Sequence, residues 1–315
     1  MSTVISVVIP VYNEEGNVRP LYERITPALE RIGREWEIIY VDDGSSDRTF
    51  SILETIHAGD PRVRIIRMRR NFGQTAALAS GFDHSRGQYV ITMDGDLQND
   101  PDDIPAIVDK MDQGYQVVSG WRKDRNEKLL TRRFPSWVAN RMISFLSGVH
   151  VHDYGCTLKG YDSQVVENLH PYGEMHRFLP ALASLSGASY TEIAVLDHPR
   201  LSGVSKYGLS RVGKVVLDLV TLMMILHFST KPRYWFGYLS FPFFALGIIT
   251  TIVALQWYAG APDIETFIVL PGSAFLLFYG GFFLFSLGWI SELITNLGTF
   301  RYGHGLTHVL EETGP

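Results

Sequence analysis

Asp94 and Asp96 stand two positions apart at the end of the apolar run Tyr89-Val90-Ile91-Thr92-Met93, so both carboxylates could grip one divalent cation from the same side. Gln98 adds an amide two positions further on. Hard oxygen ligands of this kind suit Mg²⁺ or Mn²⁺, which keep coordination positions open for substrate phosphates. The competing reading is a strand followed by an Asp-Gly turn that happens to be acidic. Similar polar clusters recur: Tyr12-Asn13-Glu14-Glu15, Asp42-Asp43-Gly44-Ser45 and Asn71-Phe72-Gly73-Gln74 each follow a short apolar run. For Asp42 and Asp43, binding of a ligand competes with an Asx turn or helix cap.

Elements that would position these clusters are legible in the apolar pattern. Runs at 5–9, 36–41, 63–68, 89–93 and 117–120 are rich in β-branched residues and separated by helix-length segments. That alternation predicts an α/β domain with a mostly parallel sheet and helices on both faces. Such sheets bind ligands at the carboxyl ends of their strands, where all four clusters fall. No Gly-x-Gly-x-x-Gly follows the first run and no Gly-Lys-Ser/Thr loop occurs, which argues against a dinucleotide-dependent dehydrogenase or a P-loop enzyme.

The chain has 315 residues, a net charge of −5 and a single cysteine, Cys156. An acidic balance argues against nucleic-acid binding, and one cysteine excludes an intrachain disulfide. The first ten residues lack the basic start and apolar core of a secretory leader. Beyond Lys231 the character changes. Segments 234–258 and 267–290 carry no charge and match the roughly 20 residues a membrane-crossing helix needs. Arg211, Lys214, Lys231 and Arg233 precede the first, Asp263 and Glu265 lie between them, and Arg301 follows the second. The positive-inside tendency then predicts cytoplasmic termini and an outward hairpin tip. Gly280 and Gly281 offer small residues for helix association, either within an anchor or between copies.

Together, Val8-Ile9-Pro10-Val11-Tyr12-Asn13-Glu14-Glu15, Val41-Asp42-Asp43-Gly44-Ser45-Ser46-Asp47, Arg70-Asn71-Phe72-Gly73-Gln74 and Met93-Asp94-Gly95-Asp96-Leu97-Gln98 with Pro101 carry a family resemblance. The chain resembles the GT-A glycosyltransferases, and within them the polyprenyl-phosphate glycosyltransferases that include dolichol-phosphate mannose synthase and bacterial undecaprenyl-phosphate enzymes with two membrane helices. The resemblance implies a Rossmann-like GT-A domain with amphipathic interface helices and two transmembrane helices. It also implies that Pro10, Tyr12, Glu14 and Asp43, with Asp42 and Gln74 beside them, hold the donor nucleotide, while Asp94, Asp96 and Gln98 arrange the metal and sugar diphosphate. Asp153 falls where the family carries an acidic residue near the reacting centre. A phosphate acceptor with a second pKa of about 6 is already largely ionised, so Asp153 is expected to orient the acceptor side more than to act as a base.

The basic run Arg122, Lys123, Arg125, Lys128, Arg132 and Arg133 precedes an apolar helical stripe and reads as a membrane-interface edge. By resemblance, Arg122, one of Arg132 and Arg133, and Ser136 would bind the lipid phosphate, whereas the plainer reading is a solvated linker attracted to anionic lipid. The segment from Arg200 to Tyr207 resembles the family's loop over the donor, with Arg200 and Lys206 facing the leaving diphosphate. The expected organisation is a catalytic domain at 1–208, an interface helix at 209–230, a hairpin at 231–292 and a cytoplasmic tail at 293–315. The expected activity is inverting transfer of a sugar, with UDP-glucose the expected donor, onto a polyprenyl phosphate at the cytoplasmic face of the inner (plasma) membrane, by a homo-oligomer of which a tetramer is one form. A processive polysaccharide synthase is the alternative, but the chain lacks a Gln-x-x-Arg-Trp motif and enough spans for a channel. A non-catalytic membrane scaffold is the other, and the intact Asp94, Asp96 and Gln98 set weighs against it.

Overall fold

All five expected strands form, with ends shifted by a residue or two: β1 (Ile5–Val11), β2 (Trp36–Asp42), β3 (Val63–Arg67), β4 (Tyr89–Thr92) and β5 (Val117–Arg122). The computed structural model describes residues 4–123, 141, 143–144, 148–167, 169, 175–185, 187–198, 232–260 and 266–302. Two more strands, β6 (Lys159–Asp162) and β7 (Tyr190–Val195), were not expected from the apolar runs. β6 is four residues containing a lysine, a glycine and an aspartate, and β7 is a half-exposed edge strand, so neither carries a strong apolar signal.

The sheet runs β3-β2-β1-β4-β6-β5-β7 and is parallel except at β6, which pairs antiparallel with both β4 and β5. Alternate side chains of each strand go to opposite faces. Val7 and Ile9 pack with Leu21 and Ile25 of α1 (Val18–Ile32), Leu53 of α2 (Thr49–Gly59) and Ile107 of α4 (Ile104–Asp112). Val8, Ile39 and Val41 pack instead with Leu78 and Phe82 of α3 (Gln74–His84), Val165 of α5 (Ser163–Glu167) and Leu179 of α6 (Leu179–Leu185). Strands buried on both faces read as continuous apolar runs, which is why these were visible in the sequence. Each fully buried Ile or Leu stabilises the layer by roughly 1.5–3 kcal/mol.

The chain divides into two compact units, Met1–Leu222 and Met223–Pro315. The expected interface helix at 209–230 lies outside the described residues. In the second unit α7 (Pro232–Gly260) and α8 (Thr266–Tyr302) form an antiparallel-hairpin pair of long apolar helices, and α8 continues past the expected limit at 292. Both are long and apolar enough to cross a membrane, and large side chains such as Tyr238, Phe241, Phe275 and Phe282 are exposed on them. Surface of that extent is not sustained in water and is suited to lipid. Gly280 lies against Phe243, and Gly281 against Phe244. Within the hairpin, the missing side chain at each of these glycines admits a ring of the neighbouring helix.

Candidate active site

Three loops at the carboxyl ends of β1, β2 and β3 are stitched into one platform. Asn13, in a left-handed conformation (φ 56°), donates its N–H to Ser45 Oγ (2.9 Å) and accepts from Ser46 N–H at its Oδ1 (2.8 Å). Glu14 N–H donates to Thr49 Oγ1 (2.8 Å), and Glu15 N–H to Asp47 Oδ2 (3.2 Å). Tyr12 is left 41% exposed above this platform. Asp42 Oδ1 accepts from Ser45 N–H (3.0 Å), closing an Asx turn, and Arg67 Nε stands 3.9 Å from its other oxygen. Its carboxylate is fully buried, so its part in a donor site is to shape the turn, and the expectation of direct contact with the nucleotide is corrected.

Asp43 reaches across to the β3–α3 loop. Its two oxygens accept Phe72 N–H (2.8 Å) and Gly73 N–H (2.9 Å). Gly44 (φ 71°) is required between the loops, because a Cβ there would lie 2.6 Å from the backbone carbon of Arg70. Asp43 thus fixes the loop that presents Gln74 as the first residue of α3.

Gln74 Nε2 donates to Asp94 Oδ1 (2.7 Å), joining that platform to the expected metal loop. Asp96 Oδ1 accepts Gln98 N–H (3.2 Å), and Asn99 Oδ1 accepts Asp94 N–H (3.3 Å) and Thr157 Oγ1–H (3.0 Å). Leu97 sits in the left-handed region (φ 63°) with its side chain buried in the core. Such backbone costs a leucine about 1 kcal/mol or more, and burial offsets it. The result turns Asp94, Asp96 and Gln98 to the same end of the sheet. Among the described residues no third His, Cys, Asp or Glu joins them to make a self-sufficient metal cage. Two hard carboxylates fit a cation that completes its shell with diphosphate oxygens and water.

Arg122 and Asp153, expected to act separately, form one buried pair. Arg122 Nε and Nη2 donate to Asp153 Oδ2 (2.7 Å) and Oδ1 (3.2 Å), and Gly155 N–H also donates to Oδ1 (3.0 Å). Their side chains are only 11% and 7% exposed. Burial would lower the Arg122 pKa, but the Asp153 carboxylate raises it further, so the guanidinium stays charged. Asp197 Oδ1 stands 3.9 Å from Arg122 Nη1. Asp153 is therefore held against Arg122 with both of its oxygens engaged. Arg132, Arg133, Ser136, Arg200 and Lys206 lie outside the described residues.

Further residues tie the site together and were missed. His198 donates its N–H to Gln98 O (2.8 Å), and its Nε2 lies 2.8 Å from Asp100 Oδ2, while Leu196 N–H donates to Asp103 Oδ2 (2.8 Å). Burial pushes the Asp100 pKa up, but hydrogen bonds from His198 and the Asp102 N–H outweigh it and leave the carboxyl below its usual range. The segment 196–198 thus braces the back of the 94–98 loop, with Asp197 beside Arg122. Lys159 is 2% exposed, and burial pushes its amine down to about 8. With Gln74, Thr92, Asp94, Tyr161 and His176 it lines a crevice beside Asp94. No local signal marks it, because β6 is short and mixed in character.

The mostly parallel sheet with its polar loops gathered at the carboxyl ends of the strands, Asp94 and Asp96 among them, is the GT-A fold. Its structural neighbours agree: a glucosyl-3-phosphoglycerate synthase of Mycobacterium tuberculosis, solved with Mn²⁺, UDP and glucosyl-3-phosphoglycerate, has a TM-score of 0.53 at 19% identity over 70% of this chain and 79% of that one. The chain belongs to the glycosyl transferase family 2, whose model matches residues 6–169. It is 42% identical over 252 residues to a dodecaprenyl-phosphate galacturonate synthase of Rhizobium johnstonii, covering 79% of this chain and 75% of that one. It is 39% identical over 258 residues to an undecaprenyl-phosphate 4-deoxy-4-formamido-L-arabinose transferase of Edwardsiella ictaluri, covering 82% and 74%.

Proposed function

We propose that this glycosyltransferase moves a sugar from a nucleoside-diphosphate donor onto the phosphate of a polyprenyl phosphate at a membrane surface. The observation that carries the reading is one chain holding both the Asp94 and Asp96 loop, suited to a diphosphate, and two long apolar helices, suited to the bilayer that holds a polyprenyl tail. The relatives named above, both acting on polyprenyl phosphates, support the acceptor class. UDP is the proposed nucleotide carrier. The two relatives use different sugars, so neither passes to this chain by name, and UDP-glucose is the reference hexose donor against which others are measured.

A bound Mg²⁺ or Mn²⁺ would neutralise charge on the leaving diphosphate. Asp94 and Asp96 are the proposed ligands, with Gln98 beside them. Asp43 and Gln74 hold the loop against which the donor would lie. The acceptor phosphate needs no strong base, since its attacking oxygen is already ionised near neutral pH. Asp153 instead keeps the Arg122 fork aimed and charged, and Arg122, Arg132 or Arg133, and Ser136 are the proposed acceptor-phosphate contacts. Arg200 and Lys206 are proposed to screen the leaving group. The basic flanks of the spans support a cytoplasmic catalytic unit.

The test is transfer from a panel of UDP-sugars to undecaprenyl phosphate by the full chain in detergent with Mn²⁺ present. Formation of a lipid-linked sugar, lost when the lipid phosphate is replaced by the free alcohol, is the expected result. Polymeric product would favour the synthase reading instead.

A further inference from the structure

Asn99 is buried just past the 94–98 loop, and three segments of the site meet on it. Its Oδ1 accepts Asp94 N–H (3.3 Å) and Thr157 Oγ1–H (3.0 Å). Its backbone forms an isolated antiparallel bridge with Asp197, whose Oδ1 stands 3.9 Å from Arg122 Nη1. Register explains the meeting. β6 runs antiparallel to β4 with Lys159 opposite Thr92, so stepping outward from that pair brings Thr157 beside Asp94. Thr92 Oγ1–H donates to Thr157 O (2.7 Å) and fixes the approach. From Thr157 the chain turns back to Asp153, with Cys156 N–H donating to Asp153 O (3.4 Å) and Gly155 N–H to its Oδ1 (3.0 Å).

Each half of the site is held by its own bonds. Gln74 Nε2 donates to Asp94 Oδ1 (2.7 Å) and Gln98 N–H to Asp96 Oδ1 (3.2 Å), while Arg122 and Asp153 hold one another. Those bonds do not set the distance from one half to the other. Asn99 Oδ1 is a carbonyl oxygen with two lone pairs, and it takes one donor from the loop of Asp94 and one from the segment of Asp153. A buried acceptor shared in this way has few positions that satisfy both donors, and leaving either donor unmade is costly.

We propose that Asn99, through Thr157, is a positioning residue that sets the donor loop and the acceptor arm at a fixed distance from one another. The proposal rests on reading the site as a transferase onto a lipid phosphate, and neither side chain has to touch a substrate. A misplacement of about 1 Å between reacting groups can cost on the order of a hundredfold in rate, even where each substrate still binds.

The experiment uses the full chain in detergent with undecaprenyl phosphate, Mn²⁺ and whichever UDP-sugar the unmutated protein transfers fastest. Thr157→Val removes the hydroxyl at nearly constant shape and leaves the Asp94 N–H bond to Asn99 in place. It should lower kcat about tenfold or more, with both KM values and the calorimetric UDP dissociation constant within about threefold. Thr157→Ser, which returns the hydroxyl, should recover most of the rate. Asn99→Ala should also lower kcat, and adding Thr157→Val to it should cost little more, since both cut one link. The proposal is overturned by a kcat for Thr157→Val within about threefold of the unmutated value, by a fall that Thr157→Ser shares, or by losses that multiply in the double variant. If Thr157→Val does not fold, Thr157→Ala is judged by the same outcomes. No transfer by the unmutated protein from any UDP-sugar, while UDP still binds, would instead overturn the transferase reading and the proposal with it.

Discussion

Replacing Arg122 by Met removes the guanidinium from a carboxylate that is 7% exposed and leaves Asp153 charged in a largely dry setting. Breaking a buried pair from one side costs roughly 3–5 kcal/mol, because the remaining charge keeps its desolvation penalty without its partner. The half-exposed Arg34–Asp112 pair, at 38% and 34%, sets the contrast: such pairs are worth about 0–1 kcal/mol. For a unit of 150–250 residues each kcal/mol moves Tm by about 2–4 °C, so Arg122→Met should lower it by roughly 6–20 °C and Arg34→Met by a few degrees at most. The double variant Arg122→Met with Asp153→Leu should recover most of the loss, since replacing both charges by apolar groups is close to neutral. Activity should not recover, because the acceptor phosphate would still lack its fork. Thermal unfolding of the full chain in detergent, followed by tryptophan fluorescence, reads the first quantity and lipid glycosylation the second. A shift below 2 °C for Arg122→Met, or full activity in the double variant, would refute the reasoning.

Asp96→Asn should cut turnover at least a hundredfold with little change in Tm, and full activity of the unmutated protein in excess EDTA would sink the metal assignment. Asp43→Asn replaces a carboxylate that receives two backbone N–H groups by an amide that can receive one well; a charge-assisted bond is worth about 1.5–3 kcal/mol, so the UDP dissociation constant should rise about tenfold by calorimetry. Lys159 has a folded pKa of about 8 against 10.5 for the ordinary amine, so between those values the unfolded chain binds more protons and stability rises with pH. Lys159→Met should accordingly be the more stable protein at pH 7, with the gap closing toward pH 10 in chemical denaturation, and a constant gap would contradict burial of a charged amine. A cysteine introduced at Gly260 should be labelled from outside the cell while one at Ser2 or Gly314 is not; labelling at either terminus would reverse the proposed orientation.

Whatever depends on local pattern was determined by the sequence itself. β1, β2 and β4 are almost wholly buried and so print near-continuous apolar runs, and the polar residues at their ends, Asp43, Asp94 and Asp96, stand out against those runs. The two long helices announced themselves by uncharged length, a property of each segment alone that makes it long and apolar enough to cross a membrane. Only the tertiary structure decided what those residues do to one another. Arg122 and Asp153 lie far apart in the chain and meet because β6 enters antiparallel between β4 and β5. Nothing in either segment alone encodes a partner. Asp42 and Asp43 are adjacent and chemically identical, yet the alternation of the strand sends one into a sealed turn and the other onto the β3–α3 loop. Lys159 is the sharpest case: in the sequence it is one lysine among several, and only the tertiary structure buries it, which strips its water and pushes its amine down to about 8.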